Sequence, residues 1–259
     1  MNFNGQLKTI ASAVTLTMLA STASATITHN DNITPELIFG SGNINGSFTV
    51  DRDNGVEIGL RGKLRHNAAG APENTFNSNG DGTFSFAAGV APTQSSPTAV
   101  WSVEWSINSN FDGSSGYNLD DLTYQFGRDS DASQGTNFFA EDIINAPYYD
   151  HAIGTNGTAN GGGTVAADPG SYASLIAGNN VAQNSWKAHW IVAPFDPTVD
   201  GTYDFYLEAF DGMTSVSKSQ IQIIVGNGGA PVPAPAGIAL FGLGLLGLGF
   251  AKQRKAAKA

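Results

Sequence analysis

The chain has no cysteine. Disulfides, thiolate metal sites and thiol redox chemistry are therefore excluded. A secreted fold built on this sequence must rest on its apolar core or on bound ions. Charge is scarce as well, at 13% of 259 residues, and positive charge is scarcest, with 12 Lys and Arg against 22 Asp and Glu. All 22 acidic residues lie between positions 31 and 218, with only seven basic ones: Arg52, Arg61, Lys63, Arg65, Arg128, Lys187 and Lys218. The excess of 15 negative charges repels nucleic-acid phosphates and anionic lipid headgroups, so neither is expected as a partner. Long amphipathic helical stripes are also missing from this middle stretch. Glycine is abundant instead, at 32 residues, and aromatics make up 10%.

Both ends depart from this composition. Lys8 precedes a short apolar run at 10–19, and Ala23-Ser24-Ala25 then supplies small residues. That is the pattern of a secretory signal peptide at 1–25, removed by signal peptidase. The other end reads APVPAPAGIALFGLGLLGLGFAKQRKAAKA, residues 230–259. A Gly/Pro linker at 227–235 holds Pro231, Pro233 and Pro235 alternating with small residues; such a run is extended and open to an enzyme's cleft. Every residue of 236–251 is Ala, Gly, Ile, Leu or Phe. As a helix this segment rises about 24 Å, short of a hydrocarbon core of roughly 30 Å. Five glycines weaken it further, so a marginal single transmembrane helix is expected, held in the inner membrane only transiently. The tip at 252–259 carries Lys252, Arg254, Lys255 and Lys258. Positive residues beside a span stay in the cytoplasm, which makes these the stop-transfer signal and puts the acidic body outside.

A proline motif, a span and a basic stop in that order resemble the PEP-CTERM sorting tail of Gram-negative bacteria. The matching residues are Val232, Pro233, Ala234 and Pro235, then 236–251, then the basic cluster. Ala234 stands where that family usually has glutamate. The resemblance implies exosortase, a membrane-embedded transpeptidase-like cysteine protease, as a partner that cuts or transfers the chain at the proline motif. It implies export through the inner membrane to the cell surface or extracellular matrix, and a link to exopolysaccharide and biofilm, with polysaccharide as a further partner. The stretch from Trp101 to about 225 is similar to ectodomains of uncharacterised proteins with this tail; no activity comes with that likeness. An ordinary single-span tail anchor is the other reading of the same residues.

In the body at 26–226, alternation dominates. Trp101, Val103, Trp105 and Ile107 oppose Ser102, Glu104, Ser106 and Asn108, the period of a half-buried strand. Tyr203, Phe205, Leu207 and Ala209 repeat it, as do Ile221, Ile223 and Val225. Asp211-Gly212 between these two runs predicts a hairpin. Further strands are expected at 46–52, 56–65, 83–87, 122–128 and 187–193, and a single helical turn at 140–145. The glycine-rich stretch 154–171 is either a surface loop or a segment held by backbone contacts. Short strands and many turns give an all-β fold, an antiparallel β-sandwich, with a jelly roll or barrel as the alternatives.

Two oxygen-rich turns suit calcium, which takes six to eight oxygen ligands. One offers Asn77, Asn79 and Asp81. The other offers Asp129 and Asp131, followed by Ser133, and begins like an EF-hand loop but lacks its closing acid. Ordinary turns lined by turn-forming residues are the preferred reading of both. No cofactor beyond this optional Ca²⁺ is expected. His29, His66, His151 and His189 lack metal-ligand spacing, and His151, beside Asp150, is read as a packed histidine rather than a base. Gly113-Ser114-Ser115-Gly116 is not a nucleophile elbow. Glu104 and Glu208, on outward strand faces, are the carboxylates a glycosidase would need. A non-catalytic surface protein is expected, with a secreted polysaccharide hydrolase and a calcium-stabilised adhesin module as rivals. Tyr206 and Trp190 are the candidate aromatics for stacking on sugar rings.

Overall fold

The structure, a computed structural model, describes residues 27–40 and 42–231. The expected signal peptide, the sorting motif from Val232 onward, the transmembrane helix and the basic tip lie outside them. Among the described residues no helix is long and apolar enough to cross a membrane.

Eleven strands follow in chain order: β1 (Thr28–Asp31), β2 (Phe48–Asp53), β3 (Val56–Leu64), β4 (Thr83–Phe86), β5 (Trp101–Asn108), β6 (Thr123–Asp129), β7 (Phe138–Glu141), β8 (Ala152–Gly154), β9 (Val181–Lys187), β10 (Gly201–Asp211) and β11 (Thr214–Val225). They form two sheets, ordered β1-β2-β3-β5-β9-β8 and β4-β11-β10-β6-β7. Every pairing is antiparallel except β4 with β11, which is parallel. The result is the expected all-β sandwich, with one parallel edge strand that alternation alone does not reveal.

The predicted hairpin is present. β10 and β11 pair along their whole length, with Asp211 opposite Thr214. Gly212 takes φ +58° at the first central position of the two-residue turn, where a hairpin's twist demands a left-handed residue. Asn54-Gly55 does the same between β2 and β3, with φ of 51° and 77°. Trp101, Val103, Trp105 and Ile107 face Phe126, Tyr203, Phe205 and Leu207 across the two sheets, all within one buried cluster. Phe126 lies 5.3 Å from Trp186, and Trp186 lies 5.4 Å from Trp105, each edge to face. Burying side chains of this size contributes about 1.5–3 kcal/mol apiece.

Two local expectations fail. The stretch 187–193 is not a strand: β9 ends at Lys187, and Ala188–Ile191 is a short helix, α2. Likewise 140–145 is not helical, because β7 occupies its start as the edge of the second sheet. The glycine-rich stretch ends in a second helix, α1 (Pro169–Gly178), which Asp168 caps by accepting from the Ser171 N–H. Proline at the first helical position after such a cap is favourable because its missing N–H is not needed there.

The outer face of the first sheet is not open to water. Residues 32–40 and 42–47 run across it as a strap, and polar side chains hold the strap's backbone. Glu57 accepts from the Thr34 N–H at 2.6 Å, Asn108 donates to the Thr34 carbonyl at 2.6 Å, and Gln183 accepts from the Ile38 N–H at 2.7 Å. The glycine-rich loop packs on the strap in turn. The Gly161 and Gly163 N–H groups donate to the Leu37 and Ile38 carbonyls, both at 2.9 Å. A Cβ at Gly163 would meet the Ile38 carbonyl oxygen at 2.7 Å, so the approach requires glycine. Of the two readings of 154–171, backbone contact is the one realised over its first half.

Candidate functional site

Beyond β11 the chain does not leave the body at once. The Gly226 N–H donates to the Phe86 carbonyl at 2.9 Å, and Asn227 donates to Asp200 at 2.7 Å. The Gly229 N–H donates to the Thr202 hydroxyl at 2.7 Å, and the Ala230 carbonyl accepts from the Gln134 N–H at 2.9 Å. A side chain at Gly229 would collide with the Ala132 carbonyl and the Ser133 backbone, so glycine permits the clasp. The first four residues of the expected linker, 227–230, thus belong to the folded body. The proline run starts where the clasp ends.

The candidate calcium turns have their oxygens engaged locally. Asn77 adopts φ 53°. Asn79 donates to the Thr83 and Ser85 hydroxyls, and Asp81 Oδ1 accepts from both the N–H and the hydroxyl of Thr83. Hydrogen bonds from Thr83 hold the Asp81 carboxyl below its ordinary pKa. Asp131 accepts from the Ser133 N–H at 2.9 Å. Asp129 is fully buried; its Oδ1 accepts from the N–H groups of Asp131 and Asn137, while Oδ2 has no partner among the described residues. Among the described residues no three acidic or histidine side chains converge as a metal would require.

His151 packs as expected. It is buried, with Nε2 2.7 Å from the Ile143 carbonyl and Nδ1 3.1 Å from the Asn184 amide. Its ring stacks on Tyr149 and meets Trp105 edge-on at 4.7 Å. Burial lowers its pKa to about 4, against opposing contributions from the Ile143 carbonyl and Asp150.

Glu104 and Glu208 do not form a pair. They sit on the outer faces of opposite sheets, where Glu104 is bound to Arg61 at 2.6 Å and Glu208 to Lys218 at 3.0 Å. Of the two candidate stacking aromatics, Tyr206 is already in use. Its ring lies across Gly127, with Lys218 Nζ 4.6 Å from the ring centre and Phe138 edge-on at 5.1 Å. Trp190 is exposed.

Sequence reasoning misses the most elaborate polar cluster, which lies beneath the strap. Arg61 is wholly buried between the rings of Phe48 and Phe76, 4.3 and 3.9 Å from their centres. Its Nη1 donates to the Ile44 and Gly46 carbonyls. Lys63 Nζ lies 3.5 Å from Glu104 and also bonds Asn43. Burial lowers the pKa of the Lys63 ammonium, against the attraction of Glu104. A cleft of about 170 Å³ opens above it, bordered by Arg65 and Glu73. The signal available in the sequence is the alternation of Arg61 and Lys63 on one face of β3, continued by Arg65 just past its end. Three of the body's seven basic residues alternating over five positions call for a buried acceptor opposite.

Residues 231–255 match the PEP-CTERM protein-sorting motif. The match begins one residue after the clasped Ala230. No curated protein and no solved structure matches the chain.

Proposed function

We propose that this PEP-CTERM-bearing chain is a non-catalytic surface or matrix protein, displayed by exosortase processing and engaged with exopolysaccharide. The sorting motif supports export to the cell envelope or surface and handling by exosortase. The observation that carries the reading is the junction. The body is tied down through Ala230, and the motif starts at Pro231. A processing enzyme thus meets the proline run directly beside a folded acidic domain, and a cut beyond Pro231 leaves the hydrogen bonds of the clasp in place. On this reading Val232, Pro233, Ala234 and Pro235 are the recognition segment and Lys252, Arg254, Lys255 and Lys258 hold the tip on the cytoplasmic side. A hydrolase finds less support, because Glu104 and Glu208 lie on opposite faces and each is engaged by a cation.

Mass spectrometry of the mature protein from cells with and without exosortase tests the reading. A C-terminus near Pro235 that disappears in the deletion strain supports it. The same terminus in both strains, or an uncut chain in both, refutes it.

A further inference from the structure

The aromatic row of the core does not end inside the sandwich. From Trp105 through Trp186 it continues to Tyr149, 6.3 Å from Trp186, and reaches solvent where the two sheets part. There a cleft of about 210 Å³ is lined by Arg128, Glu141, Tyr149, Trp186, Trp190 and Ile191. Arg128 comes from β6, Glu141 from β7, Trp186 from β9, Trp190 and Ile191 from α2, and Tyr149 from the loop before β8. The cleft is smaller than the roughly 300–1,000 Å³ that takes a drug-sized ligand, so it suits a single ring.

Its chemistry is divided. Three aromatic rings make one part of the wall, and Trp190 is 59% exposed although a large apolar ring gains by burial. The Arg128–Glu141 pair, at 2.9 Å, makes the polar part. Arg128 is largely buried, yet Glu141 is the only hydrogen-bonding or ionic partner of its guanidinium among the described residues, leaving donors of a rigid fork unused. The Tyr149 hydroxyl likewise has no protein partner among them. Phe139, 58% exposed, lies under the Arg128 guanidinium at 4.7 Å and carries the flat surface past the cleft mouth.

We infer that this cleft binds one pyranose ring of a neutral polysaccharide, with Trp190 and Tyr149 against the apolar C–H face and Arg128 and Glu141 hydrogen-bonding a pair of ring hydroxyls. A sugar ring is flat and apolar on its faces and ringed by hydroxyls at its edge, which matches this division. The body's excess of 15 negative charges disfavours a polyanionic chain. A quaternary ammonium, the other common guest of aromatic walls, is disfavoured by the guanidinium in the wall. The inference rests on the surface-display reading and names the partner's chemistry.

The test is affinity electrophoresis of the full-length chain in mild detergent through gels containing laminarin, mannan or galactan, with choline as a competitor. At least one polysaccharide should retard the wild type. Trp190→Ala should weaken that retardation at least tenfold without lowering Tm, Tyr149→Phe several-fold, and Met213→Ala, at the exposed β10–β11 turn, not at all. Retardation by none of the three, equal retardation of wild type and Trp190→Ala, or displacement by choline overturns the assignment. Processing is scored separately by mass spectrometry. Normal cutting without binding removes the cleft assignment and leaves the sorting reading intact, whereas binding without exosortase-dependent cutting does the reverse.

Discussion

Arg61 and Glu104 are in direct contact: the Nε and Nη2 of the guanidinium converge on one carboxylate oxygen, at 2.8 and 2.6 Å. The other oxygen is left to Asn43 and Lys63. Removing one member of such a buried pair strands the other charge, at about 3–5 kcal/mol, whereas removing both is far milder. Arg61→Met should therefore lower Tm by on the order of 10 °C, and adding Glu104→Gln, whose amide oxygen still accepts from Lys63, should recover part of that loss. Thermal melts of the two variants check this; an additive double variant would refute it.

The neutral, buried state of His151 makes stability depend on pH. Its folded pKa of about 4 lies below the ordinary value of 6.5, so between these values the unfolded chain binds more protons than the folded one. Stability then rises with pH from 4 to 6.5 and is lost as pH falls through that window, by on the order of 3 kcal/mol for this group. His151→Gln keeps a donor for the Ile143 carbonyl and should flatten the curve of Tm against pH over that range. The difference between variant and wild type isolates the histidine from the titrating carboxylates.

Thr202 is the hinge post of the tail clasp. Thr202→Val removes the acceptor of the buried Gly229 N–H, and an unpaired buried donor costs about 1–3 kcal/mol. The expected signature is local as well as global. Limited proteolysis should cut within 226–231 faster in the variant than in the wild type, while sites on β10 and β11 stay protected.

Chelation should leave Tm within about 1 °C, since the Asp81 and Asp131 oxygens already accept turn hydrogen bonds and no third acid converges on them. An ion bound only by the folded state would raise Tm with its concentration. A rise of several degrees on adding calcium would return Asp129, with its unpartnered Oδ2, to consideration as a ligand.

The sequence is legible where one side of a strand meets the opposite sheet. Trp101 to Ile107 and Tyr203 to Ala209 alternate because only their odd-numbered positions enter the core, and Asp211-Gly212 marks the turn. It misleads where both sides are covered. Ser102, Glu104, Ser106 and Asn108 read as water-facing, yet all are buried because the strap crosses them. β9 loses its alternation for the same reason, and the strand expected at 187–193 belongs several residues earlier. α1 goes unread because only Tyr172 and Ile176 of that helix are buried, too few to produce a stripe. The clasp at 227–230 has no local signal, because its partners lie on β10 and on the loop after β6.

The strap also sets an order of events. Its Ile38 N–H is satisfied by Gln183, 145 residues further along the chain. Closing so long a loop is slow and earns nothing until the distant strand is present. The β2–β3 hairpin can form as soon as its two strands exist, but the strap cannot be sealed over the first sheet until β9 has joined it.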